Sequence, residues 1–534
     1  MAEIHLEVDD RSRLGDLDPS VAYLSGLDLA PWKSTWERSD SGWTLRFSET
    51  DSPRLHLPVK LNDDFQVMLS TATMRPGPRP YRLWLEIARG TVDRLRNRVS
   101  AWQVLDFVPS HRLRQEIERC SLEFCVAMGQ HRDVAACERT AQSLIDQTLE
   151  AMDLAAEEYV AWQRDSAAAG SSNSSTLRGV WLDVERGSPH VGTAAQVADA
   201  LDDLVNTVVV CPCWNEIEAR PDQWNWSSVD ERLAAANSRP WNVVLGPLLS
   251  FQRSAWPEWL LAQTDHVEIR RSVQRWVAKL MERYAGQVDL VILAEKVNLV
   301  DGLGWDGPTR LQLVIDAGTT LRRAVDNLPY VVGFTQPFSE SQYRGVDYPA
   351  FHLADALLRA NLEISGFALD FEFGGGPTDT RPRDLCQLID RLAHWGSFGL
   401  PLVVSTSAEE RSDAEWVALR AARAGFRESE PAERPASEET TREVKDDGNE
   451  NNSRTFELST TGPGAVDWVQ PYFRRWLEIL DSSGVVDAVF WSHALDSQGS
   501  ARGLVNRDGE ATHRARVFRQ AFGLPDPHDT LPLG

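Results

Sequence analysis

The stretch WNEIEARPDQWNWSSVDERLAAANSRPWNVVLGPLLSFQRSAWPEWL, residues 214 to 260, reads as a strand end, an acidic loop, a helix, a second strand and a Trp-rich loop. A (β/α)8 barrel needs that order early in its sheet, with aromatic and acidic side chains gathered where the strands end. Working outward, seven further segments carry the same strand-like apolar character. They are GVWLDV (179–184), LVNTVVVC (204–211), VDLVILAE (288–295), PYVVGFTQ (329–336), ISGFALDFEF (364–373), LPLVVSTS (400–407) and GVVDAVFWS (484–492). With WNVVLGPLL (241–249) they make eight candidates, most of them separated by helical stretches. Alternating β and α segments argue for a parallel sheet, and eight units argue for a closed α/β TIM barrel over residues 177–525. No G-x-G-x-x-G follows any strand, so a dinucleotide-binding sheet has no support.

The flanks have a different texture. Residues 1–80 hold short alternating runs such as WTLRFS (43–48) and LHLPVKL (55–61), expected to form a small antiparallel β module. Residues 81–165 turn helical, with apolar residues at three- and four-residue spacing, and predict a hairpin of long helices. SAAAGSSNSST (166–176) reads as a linker, and the polar, acidic stretch at about 427–454 as a disordered insertion in the barrel.

The chain has 534 residues and a formal charge of −24. That charge disfavours nucleic acid and anionic membranes as partners and leaves a neutral ligand as the better fit. Neither a signal-peptide pattern nor a long apolar span is evident, so a cytoplasmic location is expected. Six cysteines show no C-x-x-C pair, and Cys211 and Cys213, in a C-P-C at a strand end, are expected to be buried thiols rather than metal ligands. No cofactor and no metal are expected.

In such a barrel the chemistry belongs at the C-terminal ends of the strands. Glu218 in the loop after strand two, Glu295 in VILAE, and Asp370 and Glu372 in FALDFEF stand there. A carboxylate ending an apolar strand is costly to bury without a partner, which makes it informative. Asp370 and Glu372, two apart on a strand, share a face. Among 20 tryptophans, Trp214, Trp256, Trp259, Trp305 and Trp491 are candidates for packing against a sugar ring, Trp491 foremost because it ends a strand, whereas Trp162 and Trp476 read as packing residues. Ser492, His493 and Asp496 lie too close in one loop to form a triad, and Gly374, Gly375 and Gly376 lack the Lys and Ser/Thr of a phosphate loop.

From about residue 179 to 523 the chain resembles glycoside hydrolase family 10, the barrel enzymes that include endo-β-1,4-xylanases. The resemblance rests on WNEIEARPDQWNWSSVDERLAAA, LGPLLSFQRSAWPEWL, RYAGQVDLVILAEKVNLVDGLGW and GVVDAVFWSHALDSQGSARGLVNRDGEATHRARVF in the family's order. It implies hydrolysis of β-linked glycosidic bonds by two carboxyl groups. The acid/base falls on Glu295, with Ala294 in place of the usual Asn. The nucleophile position, after Thr406, holds Ser407, and Cys213 and Pro247 replace a Lys and a His. A relocated pair is therefore expected, with Asp370 or Glu372 in the second role. Glu409 and Glu410 are alternatives expected in a solvated loop. The rival reading is a barrel that binds carbohydrate without cleaving it.

Overall fold

The computed structural model describes the chain apart from residues 1, 15–21, 28, 40, 62–65, 170–175, 183–193, 300–302, 339–348, 374–379, 409–468, 497–501 and 526–534. The acidic stretch at 427–454, Glu409, Glu410 and the glycines 374–376 lie outside the described residues.

The N-terminal region begins with strands β1 (Ala2–Glu7), β2 (Tyr23–Ser25), β3 (Pro31–Trp32), β4 (Ser34–Arg38), β5 (Gly42–Phe47), β6 (Arg54–Lys60), β7 (Gln66–Ser70) and β8 (Tyr81–Arg82). They form two four-stranded sheets, β4-β5-β1-β8 and β3-β2-β6-β7, antiparallel except for the short β1–β8 pairing. Three helices follow: α1 (Leu83–Gln103), α2 (His111–Gly129) and α3 (Val134–Ala169). Helix α1 lies so close to the end of β7 that a side chain at Gly90 would meet the backbone of residues 70–72 at 2.5 Å. The second expected helix is broken at residues 130–133, where α2 ends and Asp133 starts the next helix by accepting from the Ala136 N–H at 3.0 Å. The expected linker begins later than residue 166. Its SAAA start has high helix propensity and extends α3 through Ala169.

The barrel strands are β9 (Leu177–Trp181), β10 (Thr207–Val210), β11 (Asn242–Leu245), β12 (Leu249–Ser250), β13 (Leu290–Glu295), β14 (Tyr330–Thr335), β15 (Gly366–Phe373), β16 (Leu402–Ala408) and β17 (Val486–Trp491). All pair in parallel, β11 pairs with β13, and β17 pairs back to β9, so the sheet closes as a (β/α)8 barrel. The third strand is interrupted at Gly246-Pro247 and resumes as β12 against the top of β13. Pro247 lacks the N–H that a continuous ladder would use. Helices α4 (Ala194–Leu201), α5 (Trp214–Ile217), α6 (Ser227–Asn237), α7 (Glu258–Leu261), α8 (His266–Tyr284), α9 (Gly307–Ala324), α10 (Ala350–Arg359), α11 (Leu385–Gly396), α12 (Val469–Ser482) and α13 (His513–Ala521) occupy the connections and the end of the chain.

Two apolar layers follow from the strand period of two. Inside the barrel, Val209, Val244, Ile292, Val331, Ala368, Val403, Ala488 and Phe490 form one buried cluster, with Leu177 and Trp181 of β9 against it. The alternate strand residues belong to the larger core beneath the helices. The inward set fixes which strand-end residues reach the mouth. Asp370 and Glu372 continue the column of Ala368, Ser405 and Ser407 that of Val403, and Ser492 that of Phe490.

The N-terminal region docks on the α11 and α12 side of the barrel. The Met68 N–H donates to the Pro382 carbonyl at 2.7 Å, and Arg94 Nε donates to Asp384 Oδ2 at 3.0 Å. Buried Arg383 donates to the Tyr23 hydroxyl at 2.7 Å, and Arg475 of α12 faces Asp153 and Glu157 of α3 at 3.5 and 3.4 Å.

Candidate functional site

A cavity of about 360 Å³ opens at the C-terminal end of the strands. Its walls include Trp181, Trp214, Trp256, Glu216, Glu295, Lys296, Asp370, Glu372, Ser405, Ser492 and His493, with the Cys211-Pro212-Cys213 turn and Pro247. Glu295 of β13 and Asp370 and Glu372 of β15 thus border one space.

The carboxylates arrive by two local devices, a bulge on β13 and plain alternation on β15. Simple alternation from inward Ile292 would aim Ala294 at the mouth and turn Glu295 outward. The β13–β14 register shifts between Ile292 and Ala294, and the bulge exchanges the two: Ala294 is buried in the outer core and Glu295 faces the cavity. There Glu295 Oε1 accepts from the Ser250 hydroxyl on β12 at 2.7 Å. The glycine at position 333 makes room beside it, since a Cβ there would lie 3.2 Å from the Glu295 backbone. Asp370 and Glu372 come in by plain alternation. Asp370 Oδ2 accepts from the Thr335 hydroxyl at 3.3 Å, and Glu372 Oε2 faces the Arg502 guanidinium at 3.3 Å.

Glu372 stands in register with Ser407 on the neighbouring strand, so its carboxylate lies beside the inward position of β16 that carries only a hydroxyl. Burial pushes the Glu372 carboxyl up, but the charges of Lys296, His493 and Arg502, with the Ser492 hydroxyl alongside, outweigh it and hold the group below its ordinary value. The sign follows directly. Glu372 is ionised through the neutral range, and the stability it contributes is present above the ordinary carboxylate range and lost as pH falls through the lowered value. Lys296, immediately after Glu295, has φ 54°, and Gln336, just past β14, has φ 46°. Left-handed backbone at non-glycine residues costs free energy, and here it turns the chain sharply at two strand ends on the mouth.

The other expected contacts separate into those on the wall and those behind it. Trp214 lines the cavity, its indole stacked on Trp276 at 5.0 Å and its Nε1 donating to Glu218 Oε2 at 2.8 Å. Glu218 itself is fully buried away from the cavity. Its Oε1 accepts from Arg275 and from the Asp222 N–H, both at 2.9 Å. Two residues earlier, on the short helix α5, exposed Glu216 is the acid of that loop that reaches the mouth. Trp259 lies behind the wall and donates to the Glu218 carbonyl at 2.8 Å, and Trp305 meets the edge of Trp256 at 4.7 Å. Trp491 points out of the barrel. It is fully buried against Phe473 and Phe518 and donates to the Arg502 carbonyl at 2.7 Å, so strand parity removes it from the mouth. Trp181, absent from the expected contacts, is an inward aromatic that lines the cavity, with Nε1 donating to Ser405 Oγ at 3.3 Å.

The Asp496 carboxylate accepts from the Gly503 N–H at 2.7 Å and pairs with Arg514 at 2.9 Å, so it braces its own loop. His493 and Ser492 line the cavity, and Asp496 is not one of its lining residues. Cys211 and Cys213 are half-exposed on the wall, where buried thiols were expected. Among the described residues there is no cluster of three or more His, Cys, Asp or Glu side chains suited to a metal ion, and no helix is long and apolar enough to cross a membrane.

Because Glu218 serves the scaffold, Glu218→Gln is expected to lower stability by about 1–3 kcal/mol through loss of charge on a buried, fully engaged acceptor. Urea denaturation checks it, with cavity binding left intact.

No family model matches the chain, and no curated protein matches it. Among solved structures it is similar to an endo-1,4-beta-xylanase from Caldicellulosiruptor owensensis, at 12% identity over 65% of this chain and 97% of that one, with a TM-score of 0.44. It is similar also to xylanase 10B from Thermotoga maritima, at 9% identity over 65% and 95%, with a TM-score of 0.45. An intracellular xylanase from Thermoanaerobacterium saccharolyticum shares 11% identity over 65% and 96%, with a TM-score of 0.43.

Proposed function

We propose that the barrel mouth is a carbohydrate site and that the chain is a glycoside hydrolase acting on a β-linked, xylan-like oligo- or polysaccharide. The observation that carries this reading is the meeting of Glu295, Asp370 and Glu372 in one cavity beside Trp181, Trp214 and Trp256. Indole faces pack against the C–H faces of a pyranose while carboxylates and hydroxyls take its polar rim. Paired carboxyl groups are the minimum equipment for glycosidic cleavage.

The roles divide by environment. Glu372, held ionised among Lys296, His493 and Arg502, suits the carboxylate that attacks the anomeric carbon or takes a proton from an attacking water. Glu295, on the strand-four side and hydrogen-bonded to Ser250, is the acid that gives its proton to the leaving oxygen. Asp370, one inward step below Glu372 and held by Thr335, orients the sugar hydroxyls. A binding role without cleavage is the second reading. Ser407 favours it, because among the described residues the inward end of β16 offers a hydroxyl and no acid.

Hydrolysis of aryl β-xyloside, aryl β-cellobioside and xylo-oligosaccharides, run beside calorimetric binding of the oligosaccharides, separates the two. Turnover by the wild-type chain that is lost in Glu372→Gln supports the enzyme. Binding without turnover moves the assignment to a carbohydrate-binding barrel, and neither binding nor turnover sinks both.

A further inference from the structure

The two cysteines of the C-P-C turn have no part in the chemistry above, yet they stand on the same wall. Cys211 follows β10 by one residue and Cys213 precedes α5 by one. Their sulfurs are 3.5 Å apart, and both side chains are half-exposed toward the cavity. Pro212 between them has its φ fixed by the ring, which limits how far the two residues can drift apart. A disulfide needs its sulfurs at about 2.05 Å. Rotation about the two Cα–Cβ bonds is the natural way to cover the remaining distance.

The other thiols have a different setting. Cys120, Cys137 and Cys386 are buried, and burial pushes their thiols up, which suppresses the reactive thiolate. Cys125 is exposed on α2, in the N-terminal helical region rather than at the mouth.

We propose that Cys211 and Cys213 form a redox-active dithiol at the mouth of the barrel, closing to an intrachain disulfide on exposure to a small-molecule disulfide. One cysteine thiolate attacks a sulfur of the small disulfide, forming a mixed disulfide and expelling one small thiolate. The second cysteine thiolate then attacks the protein sulfur of that mixed disulfide and expels the other. The protein gives up two electrons and two protons, and the small disulfide leaves as two thiols. The Cys213 carbonyl accepts from the Glu216 and Ile217 N–H groups, both at 3.1 Å, at the start of α5. Drawing the sulfurs together therefore pulls on the segment that presents Trp214 and Glu216 to the cavity. This links the redox state to the shape of the mouth, whatever the cavity binds.

The test uses the full chain, fully reduced, then treated with oxidised glutathione, alkylated, digested and analysed by mass spectrometry. The expected wild-type product is a peptide holding both cysteines, unalkylated and lighter by two hydrogens, that becomes alkylated after reduction. In Cys213→Ser the expected product is glutathione retained on Cys211, because no second thiol remains to expel it. Glutathione retained on Cys211 or Cys213 in the wild type overturns the proposal. So does full alkylation of both positions while Cys125 has reacted.

Discussion

Glu372→Gln is expected to reduce turnover of aryl β-xylosides by roughly 10²–10⁴-fold, the range that removal of a positioned proton-transfer group commonly costs, and by more if the group is the nucleophile. The expectation rests on environment as much as position. Lys296, His493 and Arg502 surround this carboxylate and hold it ionised despite its burial. Gln keeps the shape and loses the charge, so oligosaccharide binding measured by calorimetry should change far less than kcat. The pH profile adds an independent readout. With Glu372 held below its ordinary value, the acidic limb of kcat/KM in the wild type should fall below the usual glutamate range of about 4.3. Any residual activity of Glu372→Gln should lose that limb.

Asp384→Ala is expected to be the most destabilising single change at the junction of the N-terminal region and the barrel. Asp384 is buried, pairs with Arg94 at 3.0 Å, and caps α11 by accepting from the Gln387 N–H at 2.9 Å. Removing it strands a nearly buried guanidinium, for which a loss of about 3–5 kcal/mol is typical, and removes a helix cap worth about 1 kcal/mol. Arg94 still donates to the Ser70 carbonyl and hydroxyl, both at 2.8 Å, which puts the expected total near the lower end, about 3 kcal/mol. Asp384→Asn retains a capping oxygen and should cost less. Urea denaturation followed by far-UV circular dichroism checks the pair.

The barrel was legible because its eight strand runs are apolar, short and separated by helical stretches, and closure follows from their number. The site was legible in part, and the reasons differ by residue. Asp370 and Glu372 obey strand alternation, which a sequence displays directly. Glu295 reaches the mouth only through the bulge between Ile292 and Ala294, which alternation alone does not reveal. Trp491 was misplaced although a signal existed: exposed Asp487, four residues earlier on β17, marks the outer side, and Trp491 shares it. Trp181 could have been found the same way, as the last residue of β9 on the side of Leu177 and Gly179. Glu218 was expected at the mouth and Glu216 was not among the expected contacts; a turn of helix follows Cys213, and it hides Glu218 against Arg275 while Glu216 reaches the cavity. The break at residues 130–133 escaped because apolar spacing continues across it, and only the Asp133 cap marks the new start.

The central claim, that Glu295 is the acid of a glycosidic cleavage site, is tested most directly by the leaving-group dependence of Glu295→Gln. Rates for wild type and variant would be compared on dinitrophenyl and phenyl β-xylosides. A dinitrophenolate departs without a proton, whereas a phenolate benefits from one, so an acid variant should keep most of its rate on the first and lose roughly 10²–10⁴-fold on the second. Equal losses on both substrates, or no effect on either, would contradict the assignment of Glu295 as the proton donor.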